Sequence, residues 1–120
     1  MTIKEIVKIL DGQVVVGEDK LGTEVLTGCG CDLMSDVLTF IKSGAMLLTG
    51  LVNPQSIRTA EIAEIDVVCF VRGKMPSEDM IELAKEKDIA LLATSLPLFE
   101  ACGRLYTNGL LGCSMTNKKE

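Results

Sequence analysis

Two short constellations in this sequence could do chemistry. The first is Cys29-Gly30-Cys31. Two thiols flanking a glycine could chelate a soft metal or form a strained redox pair. A tetrahedral site needs two more ligands, and Cys102 and Cys113 supply them only if the fold brings them close. No CxxC spacing occurs, and the plainer reading is reduced thiols beside a glycine turn. The second is Asp32 and Asp36, spaced i, i+4 as on one helix. They could hold Mg²⁺, or they could serve only the first turn of that helix. There is no histidine anywhere. That absence removes Ser-His-Asp triads, Cys-His pairs and every zinc site that uses imidazole.

A third group of residues gains meaning only from the elements around it. Thr2 and Glu5 form a capping-box pattern ahead of a helix to Leu10, and Val14-Val15-Val16 reads as a β-branched strand. A weaker strand is expected over Val25–Cys29. A helix over Leu33–Ser43 follows, capped by Asp32 or Ser35 and ended by Gly44. Ala45–Thr49 and Val67–Val71 are apolar strands, and between them Asn53-Pro54 opens a helix to about Ile65. Ser77 caps Glu78–Lys87, Ile89–Ala93 is the next strand, and Leu98–Tyr106 is the last helix, broken by Asn108-Gly109. Strands that are apolar throughout imply burial on both faces. The expected fold is therefore a single three-layer α/β domain. Its sheet has 4–5 strands, mostly parallel with right-handed crossovers, and helices on both faces. The domain is expected to span 1–120, with its core at about 4–111 and a loose tail from 114.

In such sheets ligands sit beyond the carboxyl ends of the strands. The residues that fall there are Thr49, Gly50 and Asn53, then Arg72, Gly73 and Lys74, then Thr94. Hydroxyls, flexible glycines, two cations and nearby helix N-termini would suit an anion or a nucleotide phosphate. The same Thr and Gly also suit plain turns. No Gly-x-x-x-x-Gly-Lys-Ser/Thr loop occurs, and Gly28-Cys29-Gly30 lacks the third glycine of a dinucleotide fingerprint.

Composition narrows the partners. The net charge is −5, and no basic block or aromatic platform is present, so nucleic acid is not expected. No apolar run reaches membrane-spanning length, and Met1–Leu10 does not read as a secretory signal. With an odd number of cysteines, five in all, a cytoplasmic chain without disulfides is expected. Apolar residues make up 48 % of the chain. Such a small domain has surface left for a partner, and a homodimer is expected, with Leu110 and Leu111 as contact candidates.

Several segments resemble the DRTGG domain family. They are Asp32-Leu33-Met34-Ser35-Asp36-Val37-Leu38, Leu48-Thr49-Gly50, Arg58-Thr59-Ala60-Glu61, Val71-Arg72-Gly73-Lys74-Met75-Pro76 and the stretch from Leu83-Ala84 to Thr94. The likeness runs from about Lys4 to Leu111, and the string D-R-T-G-G itself is absent as a run. The resemblance implies a small α/β module related to the N-terminal domain of HPr kinase/phosphorylase. Such modules accompany CBS domains in regulated pyrophosphatases. It further implies no catalytic role, subunit association, and for stand-alone members a hydrogenase-type protein partner. The combined expectation is a non-catalytic regulatory module without cofactor, homodimeric, taking an anionic small molecule such as a nucleotide or another phosphorylated metabolite. The competing readings are a small Mg-dependent enzyme of phosphate chemistry using Asp32 and Asp36, and a redox or metal sensor using Cys29 and Cys31.

Overall fold

A computed structural model describes residues 1–114. The chain runs α1 (Ile3–Leu10), β1 (Gln13–Val16), β2 (Thr27–Gly30), α2 (Met34–Phe40), β3 (Ala45–Thr49), α3 (Pro54–Ile62), β4 (Val67–Phe70), α4 (Glu78–Lys87), β5 (Ala90–Ala93) and α5 (Leu98–Thr107), with a 3₁₀ turn at Glu18–Lys20 after β1. The strands form one sheet in the order β1-β5-β4-β3-β2. Pairs β2–β3, β3–β4 and β4–β5 are parallel. Only β1 runs antiparallel, along β5, with a bulge between Val14 and Val16. The expected α/β sheet is thus present with all of its anticipated strands.

Two apolar clusters sandwich this sheet. On one face α1 and α5 contribute Ile3, Ile6, Leu10, Ala101 and Leu105 against Met46, Leu48 and Leu92. On the other, α2, α3 and α4 contribute Val37, Ile57, Ala60, Met80 and Ala84 against Leu47, Val68 and Leu91. Alternate residues of β3, β4 and β5 point to opposite clusters, so every position of these strands is buried. Each fully buried Leu or Ile contributes about 1.5–3 kcal/mol. The capping box closes the start of α1: Glu5 N–H donates to Thr2 Oγ1 (3.2 Å), and Thr2 N–H donates to Glu5 Oε1 (2.9 Å).

Three boundaries differ from expectation by two residues or more, each for a local reason. β2 starts at Thr27 rather than Val25, because Val25 N–H donates to Met1 O (2.7 Å) and leaves the ladder. α2 ends at Phe40 rather than Ser43. Ile41 turns extended to pack beside the α2–α4 cluster, and Gly44, at φ 86°, reverses the chain before β3. α3 ends at Ile62 because Glu64 adopts φ 60° and returns Ile65 to the core, its N–H bonded to Ala60 O (3.0 Å).

Leu110 is not the outward contact residue that its place after a helix break suggested. It is 5 % exposed and packs into the α1–α5 cluster, while Leu111 remains exposed. A turn at Asn108-Gly109, with Gly109 at φ 108°, folds Leu110 back under α5. The loose tail expected from 114 lies, beyond Ser114, outside the described residues. Among the described residues, no helix is long and apolar enough to cross a membrane.

Candidate functional site at the carboxyl edge

The carboxyl ends of β2, β3, β4 and β5 fall on one edge of the sheet, and the antiparallel β1 starts there. Four loops and the α1–β1 turn meet along it, and hydrogen bonds stitch them together in series. Asp32, in the β2–α2 loop, accepts at Oδ1 from the Thr49 hydroxyl (2.9 Å) and from Gly50 N–H (2.7 Å). Thr49 Oγ1 in turn accepts from Leu51 N–H (3.1 Å). The next loop reaches back: Lys74 Nζ donates to Gly50 O (3.1 Å). Arg72 N–H donates to Leu96 O (2.8 Å) and Gly73 N–H to Thr94 O (2.9 Å), fixing the β4–α4 loop to the β5–α5 loop. Finally the Thr94 hydroxyl donates to Leu10 O (2.8 Å) and accepts from Leu96 N–H (3.2 Å), tying in the end of α1.

This wiring separates the sequence-derived site residues into two roles. Thr49 and Thr94 are buried and their hydroxyls are spent within the chain, so they hold loops in place. Asn53 accepts at Oδ1 from Gln55 N–H (2.9 Å) and starts α3 as expected. Arg72, Gly73 and Lys74 are exposed. Among the described residues, Arg72 and Lys74 take part in none of the ion pairs, which join Met1 to Glu24, Lys20 to Asp88 and Lys87 to Glu61. A cavity of about 410 Å³ opens beside Gly73, between Gln13 and Ser95.

Asp32 has a different role from those its sequence position suggested. Helix α2 starts at Met34, with Leu33 as its cap residue and no side-chain capping bond. Asp32 therefore neither caps α2 nor shares a helix face with Asp36. Its carboxylate instead clamps the β3–α3 loop. The Gly50 N–H bond, then the Thr49 hydroxyl, with the charges of Arg72 and Lys74 nearby, hold its pKa below the ordinary carboxylate value. The clue available in the sequence was an aspartate placed just past one strand end, ahead of a Thr-Gly at the end of the next.

The backbone of Arg72 is unusual. Among the described residues, four non-glycine residues have positive φ: Asp11, Glu64, Arg72 and Asp88. Asp11 and Asp88 are helix C-caps and Glu64 follows the cap of α3, where left-handed residues are ordinary. Arg72, at φ 61°, lies two residues past β4 and is the first central residue of a tight turn, followed by Gly73 at φ 72° and closed by Lys74 N–H donating to Val71 O (3.3 Å). A residue with a Cβ in this region costs about 1 kcal/mol or more relative to glycine. The bonds to Leu96 and Thr94 hold it there, with the guanidinium in solvent.

The thiols divide between the faces of β2. Cys29, Cys31 and Cys113 pack beside the α2–α4 cluster and Cys102 beside the α1–α5 cluster. Among the described residues, no group of three or more Cys, Asp or Glu is placed to hold a metal ion. Burial pushes the Cys29 thiol up to about 11 and the Cys69 thiol, in the core of β4, up to about 12. Neither is a ready nucleophile at neutral pH.

No protein-family model matches the chain, and no curated protein matches it. Among solved structures, it is similar to the CBS and DRTGG domains of the regulatory region of Clostridium perfringens pyrophosphatase, complexed with the activator diadenosine tetraphosphate. The TM-score is 0.71 at 20 % sequence identity, over 92 % of this chain and 47 % of that one. This chain thus spans about half the length of that protein's solved region, and at this identity the likeness is one of fold.

Proposed function

We propose that this chain is a DRTGG-related regulatory module, non-catalytic and homodimeric, that takes an anionic phosphorylated small molecule over the carboxyl edge of its sheet. The observation that carries this reading is Arg72. The chain holds a non-glycine residue in a left-handed conformation in the turn after β4 and leaves it exposed beside Gly73 and Lys74. Strain of this kind persists where the surroundings enforce it, and it is concentrated at binding sites. Gly73 would let a phosphate approach the backbone, and Arg72 and Lys74 would supply charge-assisted donors. The loops are braced before any ligand arrives, so little ordering entropy would oppose binding.

The DRTGG reading is supported by the sequence segments that resemble that family and by the shared fold. The same solved region binds a dinucleoside polyphosphate, which makes nucleotides the natural first probes. The test is a thermal-shift and calorimetric series with AMP, ADP, ATP, diadenosine tetraphosphate and inorganic pyrophosphate at fixed ionic strength. At least one should stabilise the folded chain, and Lys74→Ala should weaken its binding. Absence of any stabilisation across the series would refute the reading.

A further inference from the structure

One apolar face of the molecule has no neighbour within the described chain. Helix α5 buries Ala101 and Leu105 and turns Phe99, Gly103 and Tyr106 outward as one stripe at helical spacing. Phe99 is 87 % exposed and Tyr106 is 56 % exposed, and they are two of only four aromatic residues in the sequence. Beside them, between α5 and β2, lies an apolar cavity of about 330 Å³ floored by Gly28, Gly30 and Leu48. Gly30 is explained by the fold: a Cβ there would stand 2.5 Å from Cys102 Sγ, so its absence lets α5 sit close on β2. Gly103 is not. A Cβ at Gly103 would meet no heavy atom within 4 Å. A glycine inside a helix weakens it, and nothing in the single chain offsets that.

We propose that a second copy of the chain covers this face, with α5 packed antiparallel on α5 across a two-fold axis over Gly103. Three observations favour a copy over an unrelated partner. The face is self-complementary: an exposed Phe99 stands at the rim of an apolar cavity, so a two-fold operation seats each ring in the other copy's cavity. The glycine that one chain does not need lies at the centre of the stripe, where two helices would approach closest. The charges also match. Glu100 lies in the first turn of α5 and Arg104 in the last, and antiparallel packing brings Glu100 towards Arg104 of the partner subunit. Arg104 spends one guanidinium nitrogen on Ile9 O (3.4 Å) and keeps other donors for that pair.

The inference rests on the two-copy assembly proposed above and adds its surface. Sedimentation velocity over a micromolar concentration series tests it. The wild-type chain should sediment as a dimer. Phe99→Asp and Gly103→Gln should sediment as monomers with unchanged far-UV circular dichroism, and Gly103→Gln should melt no lower than the Phe99→Asp monomer. Glu100→Arg and Arg104→Glu should each weaken the dimer by roughly tenfold or more, and the double variant should recover most of that loss. A wild-type chain that stays monomeric throughout overturns both the assembly and this surface. A dimer that survives both Phe99→Asp and Gly103→Gln, or that breaks on Phe40→Asp in α2 instead, keeps the assembly and overturns the surface.

Discussion

The carboxyl edge and the outer face of α5 are built on opposite plans. At the edge, each loop is bound to the next: Asp32 to Gly50, Gly50 to Lys74, Gly73 to Thr94, and Thr94 to Leu10. On α5, among the described residues, Phe99 and Tyr106 expose apolar surface on either side of Gly103. A braced polar edge with exposed cations suits a small anionic ligand, which benefits from preorganised donors. An open apolar stripe suits a macromolecular surface, where the gain comes from area removed from water. The same small domain thus offers two kinds of recognition.

Glycines in the two regions sharpen that contrast most strongly. At Gly12, by the edge, a Cβ would stand 2.7 Å from the carbonyl oxygen of Ala93, a backbone atom that cannot move aside. Gly12→Ala should destabilise the fold by about 2–3 kcal/mol. At Gly30, by α5, the obstacle is the Cys102 thiol, the end of a side chain. Gly30→Ala should cost about 1–2 kcal/mol, and Gly30→Ala with Cys102→Ala should recover most of it. Urea denaturation of the three variants measures both numbers. An equal cost at the two glycines, or no recovery, would erase the distinction.

The edge was partly legible in the sequence, and the α5 face was not. Apolar strands ending in Thr-Gly, Arg-Gly-Lys and Thr-Ser marked the edge, because turn residues follow buried strands wherever a parallel sheet stops. The order of elements likewise followed from caps such as Thr2, Asn53 and Ser77, whose hydrogen bonds are all present. What could not be read was partnership across the sheet. Asp32 looked like a helix cap because local sequence does not say that Thr49 and Gly50 will stand beside it. Leu110 looked like a surface residue because the turn at Gly109 that returns it to the core is a tertiary event. Phe99 and Gly103 carry no pattern of their own; only their exposure and lack of contacts single them out.

Removing the Asp32 clamp should have the next largest effect. Asp32→Ala leaves the buried Thr49 hydroxyl without its acceptor and frees Gly50 N–H, so a loss of about 1–2 kcal/mol is expected, reduced by the exposure of the carboxylate. The contribution is pH-dependent with a defined sign. The folded-state pKa lies below the ordinary value of 3.8, so the stabilisation is present above pH 3.8 and is lost as pH falls through the folded-state value. The stability gap between wild type and Asp32→Asn should be constant from pH 7 to about pH 5 and shrink below about pH 4. A gap that widens on acidification would contradict the clamp.

Arg72 should show the smallest effect on stability, and in the opposite direction. Glycine tolerates φ 61° at no steric cost, so Arg72→Gly should raise stability slightly, by about 0.5–1 kcal/mol, less the entropy glycine adds to the unfolded chain. Thermal unfolding without ligand measures it. A clearly lower melting temperature would mean that the arginine serves the fold.

The most direct measurement is isothermal titration of wild type, Arg72→Gly and Lys74→Ala with ATP, diadenosine tetraphosphate and pyrophosphate at one salt concentration. A carboxyl-edge anion site requires that wild type bind at least one of them. It also requires Arg72→Gly to bind that ligand roughly 10- to 100-fold more weakly while folding at least as well. Binding of equal strength in wild type and both variants would contradict the site, and so would no binding to wild type at all.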